Sequence, residues 1–319
     1  DTETTINIGG LSISEEVCCE ELMDVQREHL AENFSGAVEH LVGQEVSYES
    51  GSDRHLLAFG SDVPLYSNYD IYSLANDAEI IMEEIAGYGA LIGLAHPLVG
   101  LGNVAGIEDV AARCETLSDV NVYHSELIEV GYIFRGGSFT QYLELWDCLS
   151  GRGHLLTGIG VSDVHENSYW DSLVNSPFIT YPRSHGATEA DYLNALRSGD
   201  TFIGNQKLIL FKSPDMELMV VEHPSKMGQV LNNLAPEPIT LLATINAHEK
   251  GDEVRWIVNG KQAGSDAKFA SSYTFEVTPT EWNWVRVEVW RKEEAVLISN
   301  PIYLSTVEVD APSARAPRP

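Results

Sequence analysis

Five carboxylate or imidazole side chains of this 319-residue chain share the same kind of location: each lies at or just after the end of an apolar segment. They are Glu45, His96, Glu129, Asp163 and His165. In α/β barrels the carboxyl ends of the strands meet at one edge, so residues far apart in sequence come together there. Carboxylates combined with neutral imidazoles suit Zn²⁺, Mn²⁺ or Fe²⁺, and a shared carboxylate can hold two such ions about 3.5–4 Å apart. The pattern predicts a divalent metal site.

Other catalytic motifs are missing from the sequence. There is no Gly-x-Ser-x-Gly elbow to present a serine nucleophile, and there is no Walker A loop to hold a nucleotide phosphate. The 48 acidic and 19 basic residues give a net charge of −29, which repels phosphate backbones and anionic lipid surfaces. We therefore expect a small-molecule substrate and neither a nucleic acid nor a membrane as partner.

The elements that must position these residues are strands that alternate with helices in the first two thirds of the chain. Apolar segments predict strands near 43–45 and at 55–59, 91–95, 127–130, 155–161 and 201–204. Helical spacing predicts helices at 76–86, from the N-cap Ser138 to Gly151, and at 188–197, with mixed periodicity over 18–39. This alternation predicts a parallel α/β sheet or barrel through about residue 210.

The pattern changes after about residue 215 to strands alone. Asn259-Gly260 is a hairpin turn, and Val285, Val287 and Val289 alternate with larger or charged residues. These features predict an all-β sandwich over 213–307, after an α/β unit over 1–212. The proline-rich segment 308–319 is predicted to be a disordered tail.

The motifs also resemble a known family. They are Gly43-Gln44-Glu45, the run HLLAFG at 55–60, Ala95-His96-Pro97, Ile128-Glu129-Val130, and the run GVSDVH at 160–165. In this order they resemble the later motifs of the PHP (polymerase and histidinol phosphatase) superfamily. The segments 196–202 and 299–304 are similar to its carbaryl-hydrolase-like branch. The resemblance covers about residues 40–305 and implies a distorted (β/α)7 barrel followed by a β-sandwich.

The resemblance also implies roles for individual residues. Glu45 would bridge two metals, His55 and His96 would ligate one of them, and Asp163 and His165 would ligate the others. Glu129 would be a further ligand or would orient one, and one to three divalent ions would be bound. Asp163 and His165 would also be catalytic, since a metal-activated water replaces a protein nucleophile.

The sequence departs from the family at its start. The family begins with a His-x-His motif and an Asp-His pair, whereas this chain has no His-x-His and no histidine before His29. Either the chain is a piece that begins after those motifs, with a barrel incomplete at its N-terminus, or it is a degenerate member. A degenerate member would bind at most one metal, through Glu45, His55 and His96. The absence of an initiator Met favours the first alternative.

Arg183 follows the Asp-x-His segment closely enough to reach the same site. It is a candidate catalytic residue that would clamp an anionic substrate oxygen, although a salt bridge within its loop is an equal alternative. His154 precedes its strand, and we expect it to lie at the opposite end of the barrel.

The functional expectation is a metal-dependent hydrolase acting on a phosphate ester or on a carbamate or carboxylic ester. The alternatives are a non-catalytic binding protein, whose sandwich contacts a partner or polymer, and a structural domain of an assembly. The four cysteines, at 18, 19, 114 and 148, are interpreted as buried thiols. The first residues lack the features of a signal peptide, so a cytoplasmic location is expected over a secreted one. The oligomeric state is left open.

Overall fold

The fold is taken from a computed structural model, which describes most of the chain after residue 77 and shorter segments before it. The described residues are 6–8, 11–13, 41, 43–47, 55–60, 78–98, 109–119, 125–131, 138–161, 177–183, 186–209, 212–223 and 225–309. The helical periodicity noted over 18–39 and most of the predicted tail lie outside these residues.

Five strands form the sheet that carries the candidate ligands. After a short hairpin of β1 (Ile6–Ile8) and β2 (Leu11–Ile13), the sheet contains, in spatial order, β3 (Gly43–Ser47), β4 (His55–Phe59), β5 (Leu91–Ala95), β6 (Leu127–Glu129) and β7 (Thr157–Ile159). The strands β3, β4 and β5 pair antiparallel, whereas β5, β6 and β7 pair parallel. The predicted strands 55–59 and 91–95 are confirmed residue for residue.

Three helices accompany this sheet: α1 (Ala78–Gly87), α2 (Val110–Asp119) and α3 (Phe139–Gly151). The predicted N-cap Ser138 is confirmed, and with Gln141 it forms a capping box that satisfies free backbone N–H groups of α3. The sequence analysis missed α2, because its buried residues Arg113, Cys114 and Leu117 make only a narrow and partly polar stripe. No helix among the described residues is long and apolar enough to cross a membrane.

The rest of the described chain is mainly strands. The elements that follow are β8 (Phe178–Pro182), α4 (Glu189–Ser198), β9 (Thr201–Asn205), α5 (Gln206–Ile209), β10 (Met216–Val220), β11 (Ser225–Lys226), β12 (Val230–Leu231), β13 (Ile239–Ile245), β14 (Glu253–Val258), β15 (Lys261–Asp266), β16 (Ser272–Val277), β17 (Asn283–Arg291), β18 (Glu294–Ser299) and β19 (Ile302–Leu304). They form a four-stranded and an eight-stranded sheet. A shared apolar core, with Leu218 and Leu241 from one sheet and Val287 and Leu304 from the other, lies between them.

The predicted distorted (β/α)7 barrel, incomplete at its N-terminus, is wrong for the described residues. Their strands do not close into a barrel, and strands outnumber helices. β3 and β4 are antiparallel neighbours, and β8 and β9 leave the first sheet because β9 pairs with β18 from the end of the chain. The order of strands and helices along the sequence does not encode strand direction or a partner about 90 residues away, so the alternation was misleading.

The two parts of the chain are joined by a buried asparagine. The Asn300 side chain accepts a hydrogen bond from Gly158 N at 2.7 Å and donates to Thr201 O at 2.9 Å, which fixes β9 against β7. The eight-stranded sheet also joins the two parts, because it contains strands from both sides of residue 212. The division into units 1–212 and 213–307 stays a prediction.

The interpretation of all four cysteines as thiols is also wrong. Cys114 in α2 and Cys148 in α3 form a disulfide, with Cα atoms 6.2 Å apart. A spacing of 34 residues matches no motif, and only the packing of the two helices brings these side chains together. Cys18 and Cys19 lie outside the described residues.

Candidate metal centre

One carboxylate and two imidazoles converge at the end of the first sheet. Glu45 comes from β3, His55 begins β4, and His96 directly follows β5. Glu45 pairs with Leu57 and therefore lies diagonal to His55 on the neighbouring strand. His55 pairs with Ala95, and His96 is the next residue after Ala95. Diagonal positions on one face of an antiparallel pair are within reach of long side chains. Three adjacent strands thus each supply one candidate ligand.

The three ligand atoms are mutually close. His55 Nδ1 is 3.0 Å from His96 Nε2, and His96 Nε2 is 3.0 Å from Glu45 Oε1. His55 Nδ1 also contacts the same Glu45 oxygen. The group is the one set of histidine, cysteine or acidic side chains in the described part of the chain whose geometry could hold a metal ion, with ligand atoms within 4.8 Å of one another.

Two of the three ligand-atom separations match those around a single first-row ion, whereas the contact between His55 Nδ1 and Glu45 Oε1 is shorter. Ligand atoms at about 2.1 Å from such an ion lie about 3.0 to 3.4 Å apart at octahedral or tetrahedral angles. The two 3.0 Å separations fall inside that interval. Two imidazoles and one carboxylate are also the ligand chemistry that suits Zn²⁺, Fe²⁺ and Mn²⁺. The residues present therefore fit one divalent ion.

The electrostatics of Glu45 favour the ionised form. Burial raises the pKa of this carboxyl, but the hydrogen bonds and charges of His55 and His96 outweigh burial and hold the pKa well below its usual range. The side chain is 37% exposed, whereas that of His96 is only 5% exposed. The cluster is therefore anchored inside the protein at His96 and opens toward solvent at Glu45.

The backbone at His96 has an unusual conformation. Its φ angle is +26°, a region that residues other than glycine rarely occupy, and the next residue is Pro97. The backbone N–H of His96 donates to Oε2 of the buried Glu129 at 2.5 Å. Glu129 was predicted to be a ligand or to orient one, and its contact is with the backbone of the candidate ligand His96. Its role as a ligand stays a prediction.

The other predicted site residues are not brought to this cluster. Asp163 and His165 lie outside the described residues. Arg183 follows β8 and contacts Glu217 Oε1 at 2.9 Å, Asp215 Oδ1 at 3.1 Å and Asp200 Oδ1 at 3.4 Å. Its catalytic role stays a prediction, and its salt bridges join it to carboxylates outside its own loop.

Arg183 lines an open cleft of about 350 Å³, here called the charged cleft. Its lining residues are Tyr181, Pro182, Arg183, Asp200, Phe202, Pro214, Asp215, Glu217 and Lys226. Burial lowers the pKa of Arg183, but the three carboxylates outweigh this effect and raise it. These three acidic residues were not predicted, because they form no motif: Asp200 lies between α4 and β9, Asp215 lies just before β10, and Glu217 lies in β10.

The charged cleft and the metal cluster lie at opposite edges of the strands. Asn300 ties Gly158 to Thr201, and Gly160 lies against Ile203, so β7 and β9 run in the same direction. Asp200 therefore lies at the edge where these strands begin, whereas His96 lies at the edge where the parallel strand β5 ends.

Comparisons with known proteins identify no family. No protein-family model and no curated protein matches the chain. A lytic polysaccharide monooxygenase from Jonesia denitrificans matches at a TM-score of 0.20 and 15% identity, over 50% of this chain and 93% of that one. An endo-β-1,4-mannanase from Thermotoga petrophila matches at 0.22 and 9% identity, over 62% of this chain and 42% of that one. A Bacteroides uniformis β-glucuronidase matches at 0.21 and 12% identity, over 60% and 28%. Likenesses this low carry no argument about function.

Proposed function

We propose that this protein is a metal-dependent hydrolase whose divalent ion is held by Glu45, His55 and His96. The observation that carries the proposal is the convergence of three ligand atoms within 4.8 Å. Three protein ligands are typical of catalytic sites, which keep a coordination position for water or substrate, whereas structural zinc sites use four. The exposure of Glu45 supports access from solvent.

A bound divalent ion would supply Lewis acidity, lowering the pKa of a water toward about 7 and polarising an ester oxygen. Glu45 contributes one negative charge and the two neutral imidazoles none, so the ligand set leaves a doubly charged ion with a net charge of about +1. This local charge attracts an ester or phosphate oxygen although the whole chain carries −29. The proposed substrates are phosphate esters or carbamate and carboxylic esters.

The first test is metal binding by the chelator-treated full chain. We expect Co²⁺, used as a visible probe, to bind with at least 1:1 stoichiometry, and Zn²⁺ to displace it. Elemental analysis counts the ions, and more than one would support Asp163 and His165 as further ligands. His96→Ala and Glu45→Gln should abolish or strongly weaken binding. His154→Gln, a substitution of a buried histidine ahead of β7, is the matched control and should leave binding unchanged.

The second test is hydrolysis of p-nitrophenyl phosphate, p-nitrophenyl acetate and a naphthyl methylcarbamate. Turnover should require added metal and should disappear in His96→Ala, Asp163→Ala and His165→Ala. A wild-type chain that binds no metal would contradict the proposal, because the proposed hydrolysis depends on a bound ion. A chain that binds metal and hydrolyses none of these substrates would instead support the alternative of a non-catalytic binding protein.

A further inference from the structure

Two buried charged side chains hold the backbone on either side of the ligand His96. Glu129 Oε2 accepts the hydrogen bond of the His96 N–H at 2.5 Å, and Arg113 Nε donates to the carbonyl oxygen of Pro97 at 2.6 Å. Glu129 is 4% exposed and Arg113 is 3% exposed. Hydrogen bonds to ionised groups are about twice as strong as those between neutral groups. The corner formed by His96 and Pro97 is therefore fixed at both of its ends.

This corner needs such support because its conformation is unfavourable by itself. A positive φ angle at a histidine is rare, and the following proline restricts the residue further. Strained backbone persists only where the surrounding structure determines it, and it concentrates at functional sites. The contacts of Glu129 and Arg113 lie on the two sides of this residue and supply such support.

We infer that Arg113 and Glu129 are positioning residues for the metal ligand His96. They fix the backbone so that Nε2 of the ring faces Glu45 and His55. The inference rests on the proposed function, since it takes the cluster to be a metal site. It gives a role to Arg113, a residue that no sequence motif selected.

The helix that carries Arg113 is itself tied down. Cys114, the next residue, forms the disulfide to Cys148 in α3. The helix α3 is in turn anchored on the sheet, because Trp146 Nε1 donates to the Leu156 carbonyl at 3.0 Å. A series of contacts thus runs from Leu156, the residue before β7, through α3, the disulfide and Arg113 to the corner at His96.

A second buried glutamate and arginine, Glu126 and Arg197, provide the control for Glu129 and Arg113. Glu126 lies three residues before Glu129 and is equally buried, and its Oε1 accepts from Arg197 Nε at 3.1 Å. Arg197 also donates to a backbone carbonyl, that of Gly89, at 3.4 Å. Both pairs stabilise the same sheet, but only Glu129 and Arg113 hold the backbone of a candidate ligand. Substitutions in the two pairs therefore separate positioning from general stability.

The experiment measures Co²⁺ affinity and the visible Co²⁺ spectrum for Glu129→Met and Arg113→Met, with Glu126→Met and Arg197→Met as controls. All four should lower the unfolding temperature. Only the first two should weaken Co²⁺ binding, by about 10- to 100-fold, and shift the spectrum because the ligand geometry changes. Glu129→Gln and Arg113→Lys keep an acceptor and a donor at these positions, so both should restore part of the affinity.

The outcomes distinguish this inference from the proposed function. A wild-type chain that fails to bind Co²⁺ would overturn both. Wild-type binding together with unchanged affinity and spectrum in Glu129→Met and Arg113→Met would overturn only the inference. If one methionine variant does not fold, the other decides. If neither folds, Glu129→Gln decides, because a neutral acceptor makes a hydrogen bond about half as strong as a carboxylate and should weaken Co²⁺ binding; wild-type affinity and spectrum in this variant would then overturn the inference.

Discussion

Two regions of the molecule collect titratable side chains, and they are built in different ways. The charged cleft sets Arg183 and Lys226 against Asp200, Asp215 and Glu217, so that cations and carboxylates neutralise one another. In the candidate metal centre, one carboxylate oxygen and two ring nitrogens instead face each other. Opposite charges in contact satisfy one another. Converging electron-pair donors repel one another unless a proton or a cation lies between them. Convergence of donors, more than the density of charge, is therefore the feature that supports the proposed metal site.

The largest expected effect that tests this comparison is stabilisation by metal. A ligand that binds only the folded state at 1,000 times its dissociation constant adds about 4 kcal/mol to the free energy of unfolding. We expect Zn²⁺ to stabilise the wild-type chain by this order and to leave His55→Ala unchanged, as measured by urea unfolding with and without buffered Zn²⁺. Equal stabilisation of both proteins would show that zinc binds at a site that does not include His55.

The next effect concerns the charged cleft. Asp200→Asn removes the buried carboxylate that contacts both Arg183 and Lys226. Losing one partner of a fully buried ion pair costs about 3–5 kcal/mol, and we expect about 2–3 kcal/mol here because Arg183 and Lys226 are 22% and 32% exposed. Urea unfolding should show this loss while Co²⁺ affinity stays at the wild-type value. A large fall in Co²⁺ affinity would show that the two regions are coupled.

A smaller effect is expected for the exposed carboxylate of the charged cleft. Asp215 also contacts Arg183, but its side chain is 55% exposed. Asp215→Asn should lower the free energy of unfolding by less than about 1 kcal/mol, and the difference should shrink at high salt because an exposed pair is screened. A loss as large as that of Asp200→Asn would contradict the distinction between the buried and the exposed carboxylate.

Sequence patterns predicted what is encoded locally. The strand at 55–59, the strand at 91–95 and the N-cap Ser138 depend on neighbouring residues, and the structure has each at the predicted place. Glu45 and His96 were selected because polar ligand types at the ends of apolar strands are unusual, and His55 was added by a family resemblance. The cluster itself then required only that three strands lie side by side.

The features that the sequence did not reveal depend on distant partners. The pairing of β9 with β18 joins residues about 90 positions apart, and the disulfide joins two helices of which one was not predicted. Arg113 looks like any arginine on a helix, because its significance lies in the carbonyl it meets. Neighbouring residues in the sequence do not encode contacts between distant segments. For the same reason a barrel was predicted where the described strands form an open, mixed sheet.

The disulfide between Cys114 and Cys148 means that a purified sample can contain an oxidised or a reduced form of this protein. Reducing cytosol keeps most cysteines as thiols, whereas secretory and periplasmic compartments form and retain disulfides. The same gene expressed in these two settings would yield two chemical species that differ by two hydrogen atoms. The oxidised species is the one whose helices are joined as described here, and a thiol count under denaturing conditions identifies it before any metal is added.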